Sequence, residues 1–150
     1  MINSTLCYIE SEGRYLMLYR NRKRSDPNGG KWIGVGGKLE EDESPDRCVV
    51  REVLEETGLT LESFRMRGVI TFVSDCCETE QMFLYTSDSF SGTLRECDEG
   101  ELRWVPVNEL PSLNLWQGDL LFLKKLIVGE EFFTMRLEYS GDRLVSAETR

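Results

Sequence analysis

The chain has 150 residues, 40% hydrophobic and 30% charged, which suits one globular domain with a single core. Its formal charge of −9, from 27 acidic and 18 basic residues, argues against general affinity for nucleic acid, which depends on a basic surface. There is no histidine. That excludes Ser-His-Asp and Cys-His catalysis and histidine metal sites, leaving carboxylates, lysine, arginine, tyrosine, cysteine or a metal.

The start, Met1 to Tyr8, lacks a basic leader and a long apolar run, and no later stretch is apolar enough to span a bilayer. The five cysteines are odd in number and show no CxxC spacing, so neither a disulfide framework nor a zinc site is expected. A reducing cytoplasm fits this usage.

In chain order, Ser4 to Ile9 and Arg14 to Tyr19 read as strands around a Glu12-Gly13 turn. A polar, glycine-rich loop follows from Asn21 to Gly30, then an extended piece from Lys31 to Lys38 broken by three glycines. Ser44 to Thr57 is the clearest helix. Ser44 suits the N-cap, Pro45 sits at N1 where its missing N–H costs nothing, and Gly58 suits a left-handed end. A helical wheel puts Val50, Val53, Leu54 and Thr57 on one face and Glu52, Glu55 and Glu56 on another. Met66 to Val73, Glu80 to Thr86 and Glu101 to Val105 read as strands, and Asp119 to Val128 as a second helix. Phe132 to Tyr139 and Arg143 to Val145 form a closing hairpin around Ser140-Gly141-Asp142. The order predicts an α+β fold with a mixed sheet between helices, in one domain over residues 1–150.

Glu52, Glu55 and Glu56 stand at i, i+3 and i+4, where like charges repel by a few tenths of a kcal/mol per pair. A hard divalent cation among the oxygens reverses that balance, and magnesium takes a few carboxylates while keeping positions for water and phosphate. Gly36 and Gly37 let the backbone approach, so a carbonyl of either can join the ligands. Arg51 is placed to steady Glu55, and Glu43 to brace the loop. An isolated E-x-x-E-E reads as a solvated acidic face. Extended from Gly37 to Leu59, seven fixed positions at about one in fifteen each and two required apolar ones match by chance on the order of once in a billion windows.

This segment resembles the Nudix box, G-x5-E-x7-R-E-U-x-E-E-x-G-U with U apolar, at every specified position. The resemblance implies an α/β/α sandwich, divalent-metal dependence (Mg2+, with Mn2+ as a substitute) and hydrolysis of a phosphoanhydride in a nucleoside diphosphate derivative. Trp32 to Lys38 (W-x-G-x-G-G-K), Asp98-Glu99 ahead of Trp104, Leu115 to Asp119 (L-W-x-x-D) and Tyr139 to Leu144 extend the likeness to MutT-type enzymes that remove oxidised nucleotides such as 8-oxo-dGTP. By this resemblance Glu52, Glu56 and Glu55 bind metal with a carbonyl of Gly36 or Gly37. Glu99 is a further ligand or the base, an alternative to Glu56. Arg20 contacts phosphate and Lys38 binds substrate, while Thr5, Phe72, Met82, Trp116 and Asp119 line the nucleobase pocket. The implied partner is a small nucleotide, not a nucleic acid or a membrane, and the protein is a monomer or homodimer.

From the residues alone, Phe72 and Met82 equally suit core packing, Asp119 suits a helix cap, and Arg20 a solvated strand end. Trp116 suits base stacking. Eukaryotic members carry a purine-binding asparagine where Ile33 stands and a further aspartate where Gly118 stands. Val73 to Asp75 lack the proline or tyrosine of ADP-ribose and dinucleoside polyphosphate enzymes. A non-catalytic sensing module and an enzyme for nucleotide sugars or ordinary dNTPs are the rival expectations.

Overall fold

The computed structural model describes residues 1–22 and 26–150. Part of the predicted glycine-rich loop, 23–25, lies outside the described residues. The strands are β1 (Ile2–Ser11), β2 (Arg14–Arg20), β3 (Trp32–Ile33), β4 (Val35–Lys38), β5 (Leu59–Ser74), β6 (Glu80–Gly92), β7 (Gly100–Pro106), β8 (Phe133–Ser140) and β9 (Arg143–Thr149). The helices are α1 (Pro45–Thr57) and α2 (Gln117–Ile127), with a short 3-10 turn at Val107–Ser112 that the sequence reading did not anticipate.

Among the described residues the strands form one mixed sheet in the order β3-β2-β1-β6-β5-β8-β9, with β4 added to β1 and β7 to β2. β1 is the hinge of this arrangement. It runs parallel to β6 along its length, pairs with β4 from Ser4 to Cys7, and turns into β2 at its end. The β1–β2 turn uses positive φ at both Glu12 (53°) and Gly13 (74°), as a tight hairpin with right-handed strand twist requires.

Alternation along the strands sorts the core into two layers. Cys7, Ile9, Leu16, Leu18, Val35 and Tyr85 meet Val49 and Val53 of α1 on one face. Leu6, Tyr8, Met17, Ile70, Leu84 and Leu137 meet Phe122, Leu123 and Leu126 of α2 on the other. This is the expected helix–sheet–helix arrangement. No helix among the described residues is long and apolar enough to cross a membrane.

α1 starts and ends as its caps dictate. The Arg47 N–H donates to the Ser44 hydroxyl at 3.2 Å, and Gly58, at φ 82°, donates its N–H to the Leu54 carbonyl at 2.9 Å. The predicted wheel needs one correction. Leu54 is 45% exposed, and the buried side consists of Cys48, Val49, Val53, Glu56 and Thr57. α1 is therefore rotated about its axis relative to the predicted face, and that rotation carries one carboxylate, Glu56, into the protein.

Candidate active site

The segment from Gly37 to Leu59 folds as strand end, loop and helix, and Arg51 ties the three together. Its Nε and Nη2 donate to the two oxygens of Glu43 at 2.7 and 2.8 Å, a forked pairing. Its Nη1 donates to Glu52 at 2.8 Å and Glu55 at 3.2 Å, and Nη2 also reaches the Lys38 carbonyl at 3.2 Å. Glu43 accepts the Glu40 N–H as well, at 2.9 Å. These bonds, the Arg51 guanidinium first, hold the Glu43 carboxyl at about 2, well below the usual carboxylate range. Glu43 is thus the loop brace that the spacing suggested.

Glu56 points the other way. It is 8% exposed, and its Oε2 accepts the Gly36 N–H at 3.1 Å. Burial first, then a hydrogen bond with Glu99, pushes its carboxyl well above the usual range. Glu99 arrives from just before β7, which pairs with β2 so that Gly100 lies opposite Arg20. Arg20 Nη1 stands 3.2 Å from Glu99, and Arg20 Nε donates to Asp26 at 2.6 Å. A chain Asp26–Arg20–Glu99–Glu56 therefore crosses the floor of the site, joining Arg20 to a residue 79 positions away in the sequence.

The expected convergence of Glu52, Glu55 and Glu56 on one patch requires correction. Glu52 and Glu55 share Arg51, with Glu55 58% exposed, while Glu56 is turned under the loop. Among the described residues no three acidic or cysteine side chains stand close enough together to chelate a metal. The donors nevertheless suit a hard cation. Burial first raises the proton affinity of both Glu52 and Glu56, with Glu99 adding to each, so the local field is negative and poorly solvated. All the donors are oxygens, the set that magnesium prefers. The glycines make the necessary room. A Cβ on Gly37 would stand 2.5 Å from the Glu52 carboxyl carbon, and one on Gly36 would run into the Thr5 carbonyl of β1. Residues able to hold the ion are Glu52, Glu56 and Glu99 with a loop carbonyl, and Glu55 after leaving Arg51.

The remaining predicted residues divide between the faces of the sheet. Met82, Phe72 and Trp116 pack in the α2-side cluster, together with Trp32. Asp119, on the first turn of α2, is buried, and desolvation pushes its carboxyl up to about 7, with Lys31 opposing and Glu80 assisting. Trp116 donates through its indole N–H to Asn28 at 2.8 Å, lies edge-on to Tyr139, and carries the Lys31 ammonium 5.0 Å from its ring centre. Lys31 and Asn28 were missed by sequence reasoning. Their only signal was proximity to Trp32.

Thr5 does not join this group. In the β1–β6 register Ser4 lies opposite Met82 and Thr5 opposite Phe83, so Thr5 faces α1. Its hydroxyl is 3.5 Å from the Gly37 carbonyl and 3.4 Å from the Cys48 sulfur, beneath the acidic site. Lys38 is exposed, and its carbonyl rather than its ammonium serves the site, by accepting from Arg51. Ile33 packs on the α1-side cluster, away from Trp32 and Asp119. Gly118 has its own reason. A Cβ there would stand 2.6 Å from both Leu137 Cδ1 and the Tyr139 hydroxyl, to which the Gly118 N–H donates at 2.8 Å.

Comparison with known proteins agrees with this geometry. The NUDIX domain family model matches residues 3–126. The chain is 33% identical over 131 residues to an uncharacterized Nudix hydrolase, YvcI, of Bacillus subtilis, covering 84% of this chain and 79% of that protein. It is 31% identical over 130 residues to the oxidized purine nucleoside triphosphate hydrolase of Danio rerio, covering 85% and 81%. In fold it is similar to the MutT protein of Bacillus halodurans, with a TM-score of 0.90 at 24% identity over 99% of this chain and 97% of that one. With the family model covering most of its length and the box braced by Arg51 as the fold demands, the chain belongs to the Nudix family of pyrophosphohydrolases.

Proposed function

We propose that this chain hydrolyses a nucleoside triphosphate to a nucleoside monophosphate and pyrophosphate with Mg2+, for which Mn2+ can substitute, and that its substrate is an oxidised purine deoxynucleotide such as 8-oxo-dGTP. The observation that carries the reaction is the buried Glu56 carboxyl, facing Glu99 and held by the Gly36 N–H beside an intact Arg51 network. Magnesium, when bound, supplies charge neutralisation at the phosphates and acidifies water. In this reading Glu56 or Glu99 accepts the proton of the attacking water, and Arg20, 3.2 Å from Glu99, keeps it oriented. Arg51 holds the loop and helix in register and Glu52 beside them, while Glu56 keeps its place through the Gly36 N–H.

The substrate class rests on the printed activity of the Danio rerio relative and on the α2-side group. Met82, Phe72 and Trp116 offer apolar and aromatic surface to a base. Asp119, poised near neutrality, can either donate to or accept from a purine edge. Gly118 and Ile33, which packs on the α1 side, withhold two polar contacts that eukaryotic members use, which favours a broader second reading that includes ordinary dNTPs. The protein acts as a monomer or homodimer in the cytoplasm, on a small nucleotide.

A kcat/KM panel over 8-oxo-dGTP, 2-hydroxy-dATP, the four dNTPs, ADP-ribose and a dinucleoside polyphosphate, with Mg2+ and with chelator, tests the proposal. A preference for oxidised purines that vanishes in chelator is the expected result. Equal rates on all dNTPs would replace the substrate, and metal-independent turnover would overturn the reaction.

A further inference from the structure

The turn between β5 and β6 carries two adjacent cysteines that the proposed reaction does not use. Cys76 and Cys77 are both exposed, with their sulfurs 2.8 Å apart. Ser74 supports the pair. Its hydroxyl lies 3.1 Å from the Cys76 sulfur and accepts the Cys76 N–H at 3.2 Å. The residue between them, Asp75, is fastened elsewhere, accepting the Ser140 hydroxyl at 2.9 Å and the Gly141 N–H at 3.2 Å. A neighbour that anchors the backbone while leaving both thiols on one side makes a two-sulfur bite on a fixed base. The other three cysteines are buried.

Three partners are conceivable for such a bite. Tetrahedral zinc needs further ligands, and among the described residues no third acidic or cysteine side chain joins the pair. A disulfide strains here, because consecutive Cα atoms lie about 3.8 Å apart and disulfides favour at least about 4.4 Å. A pyramidal trivalent centre needs only two sulfurs at nearly a right angle, which adjacent side chains reach by rotation alone.

We propose that Cys76 and Cys77 form a bidentate site for a trivalent arsenical of the arsenoxide class, R–As=O. Each thiol gives its proton to the oxygen, two As–S bonds replace the As=O bond, one water leaves, and arsenic stays trivalent. The Cys76 thiol is drawn below its usual range, chiefly by the Cys77 thiol and then by Ser74.

The site connects to the base-side group. Phe72 precedes Ser74 by two residues on β5, and Asp75 holds the β8–β9 turn next to Tyr139, which contacts both Gly118 and Trp116. An aryl group held on the anchored pair adds bulk beside this turn, and nucleotide binding weakens. That consequence rests on the proposed nucleotide function, whereas the binding site does not.

The test is intact-mass analysis of the whole chain with phenylarsine oxide. One phenylarsenic unit per chain with loss of two hydrogens is expected, resistant to a monothiol and stripped by a small dithiol. Cys76→Ser and Cys77→Ser, each checked for an unchanged melting temperature, should lose the resistant adduct. Absence of an adduct on the native chain, or its persistence in the double variant, overturns the site. For the coupling, the loaded protein should show a several-fold higher KM for nucleotide with kcat unchanged. An adduct that leaves KM unaltered overturns the coupling alone.

Discussion

Glu56 differs from its two helical neighbours in burial and in partners, and that difference sets what substitutions should do. Glu56→Gln keeps the bond from the Gly36 N–H but removes the carboxylate proposed above as proton acceptor and cation ligand. It should lower kcat by at least ~10²–10⁴-fold, the usual range for a general base, with the melting temperature nearly unchanged. Glu55→Gln, at an exposed carboxylate that shares Arg51, should lose far less. Steady-state kinetics of the two variants side by side decides this, and equal losses would refute the distinction. Asp119 gives a pH signature. Its carboxyl rises from an ordinary value near 3.8 to about 7 in the folded chain, so the protonated form is favoured by folding. The sign follows from linkage: the stability it contributes is complete below about pH 4 and is lost as pH rises through 7. Native protein should therefore lose melting temperature across that window relative to Asp119→Asn, in which the slope should flatten.

At the scale of elements, α1 and its loop carry the site, and their ends are the weak points. Gly58 combines φ 82° with a Cβ position 2.7 Å from the Thr93 carbonyl. Gly58→Ala should cost more than the ~1 kcal/mol of an ordinary helix-terminal penalty, whereas Ser44→Ala should cost about 1 kcal/mol. Urea denaturation of both variants checks the order. The same element shows what was legible in advance. Caps and box spacing are local, so the limits of α1, the pairing of Arg51 with Glu55 and the bracing role of Glu43 were readable from residue identity, whereas the bond from Arg51 to Glu43 was not. Its rotation was not. A wheel places Leu54 beside Val50 and Val53, but contact with β1, β4 and β5 decides which side is buried, and it chose Val49 and Glu56 over Leu54. Thr5 failed for a related reason. A strand of alternating residues has two faces, and only the β1–β6 register tells which face meets α1.

For the whole molecule, −9 net charge and a buried, mutually repelling carboxylate group predict stabilisation by a divalent cation. Saturating Mg2+ at a hundred times its dissociation constant should add about 2.7 kcal/mol, visible as a higher melting temperature that EDTA reverses. Glu52→Gln combined with Glu56→Gln should abolish the rise. A Mg2+ effect that survives in this double variant would place the ion elsewhere.

What the amino-acid order determined by itself was the chemistry available and the local frame. It excluded histidine, required carboxylates, capped one helix at both ends and spaced the box, because each of these depends on residues within a few positions of one another. The tertiary structure alone decided which carboxylates meet. Glu56 reaches Glu99, 43 residues on, because β7 pairs with β2 and sets Glu99 beside Arg20. It also divided the residues expected to line the pocket between two sides of the sheet. Long-range register and helix rotation are set by burying two apolar layers at once, a condition that no single segment contains.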